Sequence, residues 1–167
     1  MRAAVLLLVA GCGVFDFDVS QPLPLQHIPG DPVAAAAGGL LGNAFPNAFN
    51  FNIDLQAQQK AHDTGPIDSV HLKSLSLTID ASSPTQNFDW LDEAHIFVEA
   101  TGLAKKEVAH VSGVPKGIKS VALTVDGSVN LKPYIDRGVN VTTSATAHAT
   151  AQDVVFGGTA VFRVSPI

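Results

Sequence analysis

SVHLKSLSLTID, residues 69–80, is the stretch on which the fold turns. Its apolar residues alternate with polar ones, the period-two signature of a strand with one face in a core. The alternation changes phase midway: Val70 and Leu72 share one parity, while Leu75, Leu77 and Ile79 share the other. A one-residue slip sends every following side chain to the opposite face, so an uninterrupted strand would bury only part of this set. An extra residue near Lys73-Ser74, a β-bulge, returns both halves to one side. The segment therefore reads as a long strand, bulged near its centre.

The same period recurs in both directions. Toward the N-terminus, Phe49, Phe51, Ile53, Leu55 and Ala57 alternate with Asn50, Asn52, Asp54, Gln56 and Gln58, the clearest half-buried strand in the chain, turned by Thr64-Gly65-Pro66. Before it, Asp31-Pro32 followed by Val33 and four alanines predicts a helix, with Asp31 as N-cap, Pro32 at the first position, and Gly38-Gly39 or Gly42 as the stop. That helix carries no charge on any side and is expected to be buried or to cover something apolar. Phe15, Phe17 and Val19 alternate with Asp16, Asp18 and Ser20 in a first strand that Pro22 and Pro24 end or fray.

Toward the C-terminus, a polar loop over 81–87 leads to a strand over 94–100, where Phe97 breaks the alternation as if both faces were covered. Val121, Leu123 and Val125 run into Asp126-Gly127 and out to Val129 and Leu131, a hairpin signal. Strands over 139–150, 154–156 and, after Gly157-Gly158, 159–164 bring the count to about seven to eight at sandwich-like spacing. The expected fold is all-β: an antiparallel, Ig-like β-sandwich with one short helix in an early connection.

The chain has 167 residues with 10 basic and 15 acidic side chains, a formal net charge of −5. This length fits one domain of common size. The acidic balance, with no basic run beyond Lys105-Lys106, argues against nucleic acid and anionic lipid headgroups as partners, since both require clustered Lys and Arg.

At the N-terminus, Arg2 precedes a uniformly small or aliphatic run that stops at Cys12. A transmembrane helix needs roughly 20 apolar residues, whereas the apolar region of a secretory signal needs about 7 to 15. The run therefore reads as a targeting segment. Its end, Val9-Ala10-Gly11-Cys12, resembles the lipobox of bacterial lipoprotein signal peptides. The resemblance implies cleavage between Gly11 and Cys12, acylation of the Cys12 thiol and new amino group by chains such as palmitate, and attachment to a membrane. Several chains anchor durably where one holds only marginally. Gly13 after the cysteine, where Asp favours inner-membrane retention in that class, implies the outer membrane, with the domain periplasmic or surface-exposed. The Phe-Asp-Phe-Asp-Val start of the mature chain is similar to myxobacterial lipoproteins of unassigned function. The expected organisation is a signal peptide over 1–11, the acylated cysteine, first strand and Pro-rich connection over 12–30, and the rest of the same domain over 31–167. A lipidated Cys12 leaves no thiol for a disulfide, a thiolate nucleophile or a zinc site.

No grouping of side chains points to catalysis. The six histidines, 27, 62, 71, 95, 110 and 148, show no two-histidine ligand spacing, and His71, His95 and His148 take the outward parity of their strands. Asp89, Asp92 and Glu93 gather beside Trp90 and could contribute calcium ligands, but a polar loop with Trp90 packed beneath it is the better account. Asp54, His62, Asp63 and Ser69 could be imagined as a hydrolytic set, yet no Gly-x-Ser-x-Gly turn accompanies them. Asn140-Val141-Thr142 matches a glycosylation acceptor, which carries little meaning in a bacterial chain. No catalytic residue, metal site or cofactor is expected.

Two functions remain. The domain is expected to be a non-catalytic binding or scaffold module of the cell envelope, meeting a protein partner and held to the membrane by its lipid. The alternative is a carrier of a lipid-like ligand in a cavity between the sheets, lidded or lined by Val33, Leu40, Leu41, Phe45, Phe49 and Phe51.

Overall fold

The bulged strand near the centre of the chain lies in the interior of the sheet, third of its seven strands. In the computed structural model, which describes residues 15–41, 49, 51 and 53–167, β2 (Ile67–Ile79) has Val70, Leu72, Leu75, Leu77 and Ile79 all buried and Lys73 and Ser74 both exposed. Its pairing with β7 (Val154–Pro166) shifts register between Leu72 and Ser74, the extra residue that the change of phase demanded. The other strands are β1 (Phe17–Ile28), β3 (Leu91–Ala100), β4 (Leu103–Ser112), β5 (Ser120–Val125) and β6 (Asn140–Ala147). Among the described residues three helices accompany them: α1 (Pro32–Ala36), α2 (Leu55–His62) and α3 (Lys132–Ile135).

The protein is all-β, but it is not a sandwich. All seven strands belong to one antiparallel sheet in the order β1-β7-β2-β5-β4-β3-β6. The two packed sheets of the Ig-like expectation are joined edge to edge, because β4 pairs with β5 at Ala109–Val125 and His110–Thr124. Register shifts at Leu23/Gln26, Leu72/Ser74 and Ile96/Phe97 add local twist. The sheet curls, and its concave side closes on one core that includes Phe51, Phe88, Phe156 and Phe162. Phe51 meets Phe162 edge-on at 5.3 Å, and Trp90 and Phe88 both pack on Phe156.

The two edges of the sheet are linked by one stretch of chain. After β1 and α1, Leu40 forms a bridge with His148, Leu41 N–H donates to Ala147 C=O at 2.9 Å, and Ala149 N–H donates to Gly39 C=O at 2.8 Å. The segment that leaves edge strand β1 thus covers part of the free edge of β6, satisfying backbone groups that an open edge would expose.

Several elements differ from what the pattern predicts. The strand expected from Phe49 to Gln58 is helix from Leu55 onward: Asp54 accepts a hydrogen bond from Ala57 N–H at 2.9 Å and caps α2, and Asp63 closes it in the left-handed region at φ 49°. LQAQQKAH consists mostly of strong helix formers, which outweigh a short run of alternation once both ends are capped. β1 runs through Pro22 and Pro24 instead of ending there; it is an edge strand, and its bulge between Leu23 and Gln26 takes up Pro24. Gly157-Gly158 lies inside β7, because a Cβ at Gly158 would collide with the carbonyl of Ser76 on β2. The Asp126-Gly127 turn forms without a returning strand. Asn130 Oδ1 instead accepts from Val70 N–H and Lys132 N–H and directs the chain into α3. α1 forms with Asp31 as its cap, yet buries none of its residues, and Val33 is 80% exposed. β4 was not predicted at all.

Candidate functional site

The bulge that hides β4 from pattern reading also builds the densest cluster of titratable side chains among the described residues. Ile96 lies opposite Ala109 and Phe97 opposite Glu107, so Val108 is the extra residue of β4. Val108 and Ala109 both turn into the core, at 0% and 1% exposure. Regular alternation would place Glu107 and His110 on opposite faces; with the bulge between them both project outward. There they meet Glu93 and His95 of β3, since His95 is the register partner of His110.

His95 is gripped from two sides. Its Nδ1 lies 2.9 Å from Glu107 Oε2 and its Nε2 lies 2.9 Å from Glu93 Oε1. The other oxygen of Glu107 lies 3.0 Å from His110 Nδ1. The Glu93 carboxylate first, and that of Glu107 second, hold the imidazole above its ordinary pKa of 6.5 by bonding to its charged form. Both ring nitrogens can donate only as the imidazolium. The rings of His110 and Phe97 both lie near-parallel to His95, at 6.0 and 6.2 Å between centroids, and Lys105 Nζ sits 4.7 Å from the Phe97 centroid. Ser144 of β6 is the register partner of His95 on its other edge. Chemically this is a charge-paired surface: both nitrogens of His95 face carboxylates, not a hydroxyl that they could activate.

A second feature is a cleft of about 310 Å³ lined by Gln86, Asn87, Asp89, Trp90 and His148–Ala151, with Thr150 92% buried beside it. His148 Nε2 lies 2.7 Å from Asp92 Oδ2, and Asp89 Oδ1 accepts from Gly117 N–H. A smaller groove of about 200 Å³ lies between β1 and the start of α2, lined by Gln21, Pro22, Ile53, Asp54 and Gln58 among others. On the opposite half of the sheet, Asp18 accepts from Lys73 and Arg163, which hold its carboxyl below the usual carboxylate range, Lys73 foremost.

The groupings suggested by sequence are separated. Asp89, Asp92 and Glu93 are each engaged with a different partner, Gly117, His148 and His95, and Trp90 packs beneath at 4% exposure. Asp54 caps α2, His62 stacks on Phe17 at 3.8 Å, and Asp63 ends the helix. Of the residues read as a lid or lining, Phe49 and Phe51 are core, Leu41 is half-buried, and Val33 and Leu40 face solvent. Neither cleft includes any of them. Phe45, Gly11 and Cys12 lie outside the described residues. By pattern alone Glu93 belongs to a polar loop and His95 is only an outward-facing strand residue; their two-residue spacing puts them on one face because β3 begins already at Leu91, whereas Glu107 and His110 reach that face only through the bulge. No protein-family model, no curated protein and no solved structure matches this chain.

Proposed function

We propose that this chain is a lipid-anchored, non-catalytic binding or scaffold module of a bacterial cell envelope, attached to the outer membrane through an acylated Cys12. The observation that carries the reading is the run Val9-Ala10-Gly11-Cys12 placed just ahead of a strand that begins at Phe17. The few residues between Cys12 and Phe17 reach at most about 18 Å when fully extended, so the start of β1 stays close to the lipid surface. The module then presents its outer sheet face and loops to a protein partner in the periplasm or at the cell surface. A non-catalytic role is supported by the way five of the six histidines are engaged: His27 with Asp153, His95 with Glu93 and Glu107, His110 with Glu107, His148 with Asp92, and His62 with the Phe17 ring, while the Nδ1 of His71 is buried in β2 without a hydrogen-bond partner. The carrier alternative has less support, because Phe49 and Phe51 help fill the core.

Fractionation of the native host tests the anchor. The wild-type chain is expected in washed membranes, and Cys12→Ser is expected to release it to the soluble fraction. A Cys12→Ser chain that fractionates like the wild type contradicts the reading.

A further inference from the structure

Four titratable side chains converge at the narrowest seam of the sheet. β4 joins β5 through two register pairs, Ala109–Val125 and His110–Thr124, whereas β4 joins β3 from Glu93–Ser112 to Ala100–Leu103. The bulged residue Val108 accepts from Asp126 N–H at the same place. The two parts of the sheet, β1-β7-β2-β5 and β4-β3-β6, are therefore coupled through the short piece of β4 whose outer face carries Glu107 and His110.

We infer that Glu93, His95, Glu107 and His110 form a proton-operated latch that fastens the bulged segment of β4 to β3, and that losing the His95 proton loosens this bulged segment, the same short piece of β4 that pairs with β5. The geometry requires this dependence. With carboxylate oxygens at 2.9 Å from both ring nitrogens, the imidazolium donates twice. The neutral ring carries one N–H and one lone pair, so one carboxylate then faces an acceptor and must move away. If it is Glu107, the bond to His110 is disturbed as well, since one carboxylate serves both rings. The groups facing His95 are Glu93 and Phe97 on its own strand, Glu107 and His110 on β4, and Ser144 on β6, with Lys105 above Phe97. Among these the two carboxylates favour the charged ring, and His110 opposes it only when itself protonated.

The sign follows from the raised pKa of His95. The latch contributes in full below the unfolded imidazole value of 6.5 and is lost as pH rises through the higher folded value. It is a device that holds in acid and releases toward alkaline pH, and it weakens with salt because the side chains are 31% to 45% exposed. This inference concerns the folded domain itself and stands or falls independently of lipidation.

The test is an NMR titration of the purified full chain with hydrogen exchange over the same range, about pH 5.5 to 8.5. The His95 ring is expected to titrate above 6.5. After correction for intrinsic exchange, protection of the amides around Val108–His110 and Val125 is expected to fall several-fold as it does so, with β7 amides around Phe162 unchanged. Glu93→Gln with Glu107→Gln is expected to abolish the pH dependence while circular dichroism stays that of the parent. A wild-type His95 titrating at or below 6.5 overturns the latch without recourse to any variant. So does pH-dependent protection that survives in the double variant.

Discussion

At the residue scale, the positions that matter most have neighbours that leave no room for change. Phe51 is fully buried and set edge-on against Phe162. Phe51→Ala removes that contact and leaves a cavity in the core, and is expected to cost about 3–5 kcal/mol in chemical denaturation. Gly158 sits where β7 crosses close to the Ser76 carbonyl, with Leu23 and Leu77 at its other sides. Gly158→Ala should destabilise by about 1–3 kcal/mol through overpacking. Gly38, at φ 67° with open space around it, should lose only about 1 kcal/mol from backbone strain when changed to alanine. A Gly158→Ala variant as stable as Gly38→Ala would contradict the close approach of β2 and β7. Burial was legible at this scale: Val70, Leu72, Leu75, Leu77 and Ile79 are the core set that alternation named, and Phe49, Phe51 and Ile53 are buried as expected although no strand holds them.

At the element scale, what decided between right and wrong readings was whether local bonding agreed with periodicity. The bulge in β2 was legible because five apolar residues change phase around two polar ones, and only an extra residue reconciles them. The bulge in β4 was not, because the exposed or half-exposed charged run Lys105-Lys106-Glu107 leads into it, and Val108-Ala109 looks like a short apolar step. The Glu107 and His110 half of the candidate site vanished from view with it. α2 shows the opposite case, alternation present but overruled by Asp54 capping and helix-forming composition. Asp54→Ala should therefore lower stability by about 1 kcal/mol, and more than Gln58→Ala on the same helix, when the two are compared by thermal unfolding. Equal effects would mean that the cap is not what starts α2. Proline and glycine were misread for a shared reason: Pro22, Pro24 and Gly157-Gly158 interrupt a strand on local grounds, whereas an edge position and a close crossing accommodate them.

At the scale of the whole molecule, the all-β class and antiparallel pairing could be anticipated, but closure could not, and the expected count comes near seven only because strands expected over 49–58 and as two pieces of β7 offset the missed β4. Whether seven strands make two sheets or one depends on the two register pairs between β4 and β5, and no composition signal marks so short a ladder. The inferred pH response lies on the same short piece of β4, so the structural surprise and the proposed latch share an origin. The proposed function needs the β-sheet domain to be held at a membrane by an acylated Cys12, close to the first residues of β1. Intact mass spectrometry of the protein extracted from the membranes of its native host tests this most directly. The account predicts a polypeptide that begins at Cys12 and carries the added mass of acyl chains; an unmodified chain that still begins at Met1 would contradict it.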